Sequence, residues 1–211
     1  MPSFASRFAA IPLLPRRGLL AFAALTLLLG APALAAVAPD QAATLVTTTG
    51  NQLVGLINGG ADSATRRQAL QAIVDGNVDV DGVARFCLGR FWRSATPQQQ
   101  QDYLAVFHAT LMRNLTANLG DYQGVTFKVG QVMPRDDGSV SVETVLTRPN
   151  NEPNNVDWIV SDQTGSPKIT DLVVEGTSMR LTTRSEYASY MQNNGNDLDA
   201  LIAALKAKAN G

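Results

Sequence analysis

One histidine and one cysteine are all the imidazole and thiol chemistry that this 211-residue chain carries. A zinc centre of those ligand types would have only His108 and Cys87 to draw on, fewer than such centres use. A Ser-His-Asp triad would have to recruit His108, and no Gly-x-Ser-x-Gly turn presents a nucleophile. A lone cysteine forms no intramolecular disulfide, so the fold rests on its core and not on cross-links. Cys87 stands between Phe86 and Leu88 and reads as a small core hydrophobe. No glycine-rich phosphate cradle is present, since Gly59-Gly60 runs into Ala61-Asp62. The carboxylate pairs Asp79/Asp81 and Asp136/Asp137 stand in turn contexts, where solvated caps account for them. The residues therefore supply no catalytic centre, and nothing that would hold a metal or cofactor.

Charge is sparse too, at 17% of residues, and no basic run occurs. Without residues 1–35 the chain carries 14 basic and 18 acidic side chains, a net charge of −4. A mildly acidic protein is a poor partner for nucleic acid or an anionic membrane surface. Long apolar runs are missing with one exception, Leu19–Gly30, which is well short of the ~20 residues that span a bilayer. Arg7, Arg16 and Arg17 precede that run without any acid, and Ala33-Leu34-Ala35 follows it in small-x-small form. Basic, apolar, small is the order of a secretory signal peptide cleaved after Ala35. The Arg16-Arg17 pair also resembles a twin-arginine leader, so the general secretory and twin-arginine routes both stay open. No cysteine lies at the cleavage point to take a lipid anchor. The expectation is a single domain, 36–211, free in the periplasm of a Gram-negative cell.

What is present is a clear order of periodicities. Leu45, Val46, Leu53, Leu56 and Ile57 suit an amphipathic helix over 40–58, and Asp62 or Ser63 can cap a second carrying Leu70, Ile73 and Val74. Val83, Phe86, Cys87 and Phe91 predict a third over 79–92. Thr96, Pro97 and Gln99 form a capping box for a long helix carrying Leu104, Phe107, His108, Leu111 and Leu115, with Gly120 as its stop. Past Gly124 the period falls to two: Val125, Phe127 and Val129; then Val140, Val142 and Thr144; then Val156, Trp158 and Val160; then 169–175. Short turns at Asp136-Asp137-Gly138 and Gln163–Pro167 imply antiparallel pairing, with the first strand burying one face. Thr183 and Glu186 predict another capping box, Gly195 a stop, and Asp197 the cap of a last helix. Helices, a four-stranded antiparallel sheet, then helices make an α+β domain.

Two segments carry a family resemblance. Leu88-Gly89-Arg90-Phe91-Trp92-Arg93-Ser94-Ala95-Thr96-Pro97 resembles the Leu-Gly-x-aromatic-aromatic-basic-x-Ala-Thr-Pro pattern of the MlaC, or toluene-tolerance, family. Asp171-Leu172-Val173-Val174-Glu175-Gly176-Thr177-Ser178-Met179 resembles that family's Asp-x-x-x-Glu-Gly-x-Ser segment. Thr183–Tyr187 and Leu198–Leu205 follow in the same order, so the likeness spans residues 40–208. Pro167 stands where a tryptophan often opens the fourth strand, and Asn114 and Leu115 where tyrosines are common.

The resemblance implies a nuclear-transport-factor-two-like cone, a curved sheet and helices enclosing an apolar cavity. It implies a periplasmic carrier passing phospholipid between an outer-membrane lipoprotein/porin complex and an inner-membrane ABC-type transporter. One branch of the family is associated with hopanoids, so a hopanoid cargo is the alternative. Burial of the tails is compulsory for such a carrier. At about 0.8 kcal/mol per methylene, roughly thirty methylenes would cost about 25 kcal/mol to expose. Side-chain faces make Phe91, Trp92, Phe107, Leu111, Phe127, Val142, Trp158 and Val174 the candidate cavity residues, with plain core packing as the competing role for each. Rival readings are a cone-fold isomerase or dehydratase, which needs a buried acid or histidine, and an adaptor with a filled core.

Overall fold

The computed structural model describes residues 36–210 apart from 163 and 164. The expected signal peptide, 1–35, and the centre of the Gln163–Pro167 turn lie outside the described residues. The chain enters the fold at once: Val37 is buried, and its N–H donates to the Gly138 carbonyl at 3.2 Å.

Among the described residues five helices come first. They are α1 (Pro39–Asn58), α2 (Ser63–Asn77), α3 (Val80–Leu88), α4 (Arg90–Ser94) and α5 (Pro97–Asn118). Pro39 opens α1 at a position where its missing N–H costs nothing. Ala42, Val46, Thr49, Gly50 and Ile57 recur along the face that α1 buries. Asp62 caps α2 by accepting from the N–H groups of Ala64 and Thr65, and those bonds hold its carboxyl below the usual range. Thr96 and Gln99 close the capping box expected for α5.

The predicted 79–92 helix breaks at Gly89. Its φ of 62° and ψ of −125° are not helical, and the Arg184 guanidinium lies 3.0 Å from where a Cβ would stand. Helical spacing alone cannot reveal such a break, because Phe91 keeps the period across it. The stop of α5 also differs. A 3₁₀ turn, Leu119–Tyr122, follows it, and Gly124 at φ 77° makes the corner.

The sheet contains β1 (Thr126–Pro134), β2 (Val140–Thr147), β3 (Asn154–Ser161), β4 (Lys168–Val174) and β5 (Thr177–Ser178), in that order and antiparallel throughout. The four expected strands are present, and the two-residue β5 turns back on β4. β1 buries less than its alternation suggests: Val129 is 36% exposed. It is an edge strand, and a bulge between Val129 and Val132 shifts its register. At the other edge Val78 bridges Ile169 in parallel, and the Asp79 N–H donates to the Ile169 carbonyl at 3.0 Å. Val142, Trp158 and Leu172 stand opposite one another across β2, β3 and β4. The Trp158 indole donates to Thr144 Oγ1 at 2.9 Å, and Thr144 donates to the Val156 carbonyl at 2.9 Å.

Two helices close the fold, α6 (Met179–Asn193) and α7 (Leu198–Asn210). The predicted start of α6 at Thr183 is corrected to Met179, with Ser178 as its cap. The tertiary partner decides this. Asp171 on β4 accepts from the Arg180 N–H and the Ser178 hydroxyl, so the first turn is satisfied from the sheet. Thr183 lies inside the helix and donates to the Met179 carbonyl. Asp197 caps the last turn-in as expected, accepting from the Asp199 N–H at 2.9 Å.

Thr144 is fully enclosed. Thr144→Val leaves the Trp158 indole without its acceptor and costs about 1–3 kcal/mol in a urea melt, while Thr144→Ser retains most of the stability.

Candidate functional site

The apolar interior falls into two clusters. A helical cluster gathers Leu70, Val74, Ala84, Leu88, Tyr103, Phe107, Met191 and Leu201 with their neighbours. A sheet cluster gathers Val46, Val140, Val142, Val156, Trp158, Val160 and Ile169 under the first half of α1. Three partly buried residues touch both and form the seam between them: Leu53 of α1, Val78 after α2, and Leu146 of β2. α1 runs along both clusters, with Val46 in one and Ile57 in the other.

The eight candidates divide along this line. Phe107 is buried in the helical cluster, with Phe91, Trp92 and Leu111 packed against it. Val142 and Trp158 are buried in the sheet cluster, with Val174 packed against that. Phe127 stands opposite Leu146 in the β1–β2 register, and its ring lies against α1 where Gly50 has no side chain. A Cβ on Gly50 would stand 2.3 Å from Phe127 Cζ. Phe127 therefore marks the place where α1, β1 and the seam converge. Two surface depressions accompany this interior. One of about 220 Å³ lies between Phe91, Ser94, Gln99 and Leu198, and one of about 450 Å³ between Asp40, Thr44, Leu45 and Pro167. Phe91 is the one candidate at either of them.

Sequence spacing missed Tyr103 and the seam residues. Tyr103 centres an aromatic cluster with Trp92, Phe107 and Tyr187, its ring centroid 6.5, 5.9 and 6.4 Å from theirs. Its hydroxyl donates to the Ala84 carbonyl at 2.8 Å, and burial pushes its ionisation upward. Its spacing to Phe107, one helical turn on, was the available signal. Nothing in sequence sets Leu53 or Leu146 apart from other apolar residues, because their role depends on which two clusters they touch.

The reactive side chains sit apart. His108 Nε2 is 2.8 Å from Asp75 Oδ1, an exposed pair joining α5 to α2. Asp79 caps α3 by accepting from the Gly82 N–H, and Asp81 faces Arg85 at 3.6 Å. Asp137 accepts from the hydroxyl and N–H of Ser139, which holds its carboxyl below the usual range. Among the described residues no three histidine, cysteine or acidic side chains gather as a metal site.

The family model for "MlaC protein" matches residues 48–207, most of the chain. The chain belongs to the MlaC family. It is 30% identical to the toluene tolerance protein ttg2D of Pseudomonas putida over 196 residues, 89% of this chain and 87% of that protein. Its fold matches that of a phospholipid-binding protein from Ralstonia solanacearum, solved in complex with a phospholipid. The TM-score is 0.71 at 23% identity, covering 80% of this chain and 97% of that one. The α+β class, an antiparallel sheet packed by helices, is that of a solved relative.

The MlaC motif residues act as a clamp. Glu175, at φ 46°, and Gly176, at φ 78°, turn β4 into β5. Glu175 Oε1 accepts the Asn155 N–H at 2.7 Å, tying that turn to β3. Asp171 holds Ser178 and Arg180, and the Arg180 and Arg184 guanidiniums lie 4.5 and 4.9 Å from the Phe86 ring centroid. Cys87 completes this joint, with Sγ 3.5 Å from the Arg180 carbonyl.

Burial, with the Asp171 charge adding to it, pushes the Cys87 thiol up to about 12. A thiol raised in this way favours the folded state below the unfolded pKa of 9.0, and that contribution is lost between pH 9 and 12. Stability measured by urea unfolding should fall across that window. Cys87→Ala should flatten part of the fall, the raised Tyr103 and Tyr187 accounting for the rest.

Proposed function

We propose that the protein is a periplasmic carrier that shuttles phospholipid between an outer-membrane lipoprotein/porin complex and an inner-membrane ABC-type transporter. The acyl chains lodge between the helical and sheet clusters, along α1. The divided interior is the observation that carries this reading. A domain of this size ordinarily builds one contiguous core, whereas here two cores meet through Leu53, Val78 and Leu146. Parting them along α1 breaks the apolar contacts of the seam, and a hydrocarbon guest replaces those contacts with its own.

The candidates take roles on this geometry. Val142, Trp158 and Val174 wall the sheet side, Phe91, Trp92, Phe107 and Leu111 the helical side, and Phe127 stands at the mouth against Gly50. Family membership and the phospholipid bound by the Ralstonia solanacearum protein point the same way. Guest and wall are both apolar, so affinity is a difference between two apolar environments, and loading and release stay nearly balanced. The reading contains no chemical step, which suits a lone histidine paired with Asp75 and a thiol enclosed in the core. The leader sequence directs the protein to the periplasm.

Denaturing organic extraction of folded, purified protein should release lipid near one molecule per chain, and mass spectrometry distinguishes phospholipid from hopanoid. Phe127→Glu and Val142→Arg, provided they fold, should retain several-fold less. Undiminished lipid in a folded variant removes that residue from the wall, and wild-type protein free of lipid ends the carrier reading.

A further inference from the structure

The seam contains one polar group with nothing to bind. Thr49 is 2% exposed on the buried face of α1, one helical turn after Val46 and one before Leu53. Its Oγ1 is buried and makes no hydrogen bond. Six other helical threonines avoid this state by donating to the carbonyl four residues back. Thr44 and Thr47 do so on the same helix at 2.8 and 2.7 Å, and Thr110, Thr116, Thr182 and Thr183 do so elsewhere. Among the described residues the other buried atoms in this condition belong to Arg66, Asp162 and Arg180, which are only partly buried. The Arg66 side chain also donates to the Ala61 carbonyl, and Arg180 Nε faces the Asp171 carboxylate at 3.5 Å.

An unpaired hydroxyl inside an apolar region destabilises a fold, and valine would fill the same space without that cost. Thr49 adjoins Gly50, the position against which Phe127 lies. We infer that Thr49 is a ligand-binding residue whose hydroxyl donates to an acyl-ester carbonyl of a diacyl phospholipid held in the seam. The inference rests on the carrier reading and deepens it. The chemistry selects this atom of the lipid. A hydroxyl this deep meets neither headgroup nor water, and the ester carbonyls are the acceptors that travel with the upper ends of the tails.

Dialkyl phospholipids carry ether oxygens and no carbonyl, so they separate this contact from tail burial. The protein is loaded from vesicles holding equimolar diacyl and dialkyl phosphatidylethanolamine of equal chain length, then extracted and analysed by mass spectrometry. One hydrogen bond predicts a diacyl preference of about five- to tenfold in wild type. Thr49→Ser should keep that preference. Thr49→Val should bring it to parity while melting at the same or a higher urea concentration. Equal uptake of both lipids by wild-type protein overturns the inference and leaves the carrier reading intact. A destabilised Thr49→Val protein that keeps the diacyl preference also overturns it, since the hydroxyl then serves the fold. Uptake of neither lipid overturns the carrier reading, and this inference with it.

Discussion

Helix α1 lies along two apolar cores at once, and the rest of the molecule is arranged around that constraint. Its first half packs on the sheet through Ala42 and Val46, and its end packs among the helices through Ile57. Between them the helix face narrows to Thr49 and Gly50, a small polar residue and one with no side chain. A helix serving a single core would place bulky apolar residues there. The small residues instead admit the Phe127 ring from the edge strand, so the junction depends on one aromatic side chain.

Rigidity lies on the far side of the sheet. The Asp171–Ser178–Arg180 joint fastens α6 to β4, and the Arg180 and Arg184 guanidiniums over the Phe86 ring fasten α3 to α6. The Tyr103 cluster fastens α5 to α4 and α6. β1, with its bulge and its half-exposed face, meets α1 through the Phe127 ring against Gly50. Sequence signatures of the MlaC family thus mark how the frame is held together, while the seam is made of residues that carry no motif.

The pattern of legibility follows from that division. Caps and alternation are local, and Thr96, Asp62 and Asp197 were readable because a side chain and its own backbone decide them. Gly89 and the true start of α6 were not, because Arg184 and Asp171 act on them from distant parts of the chain. The eight candidate residues were chosen by face, and large apolar side chains do occupy both cores. Face alone could not show that the cores are separate, nor that Thr49 is buried without a partner. Those are properties of neighbours brought from more than one element.

Hydrogen exchange of the lipid-free and phospholipid-loaded protein tests the account most directly. Tails lodged between the two cores should slow exchange over α1 residues 46–57 and over the β1–β2 segments around Phe127 and Leu146, leaving α7 unchanged. Protection that spares α1, or that falls on α7 and the outer face of α5, would place the guest elsewhere and contradict it.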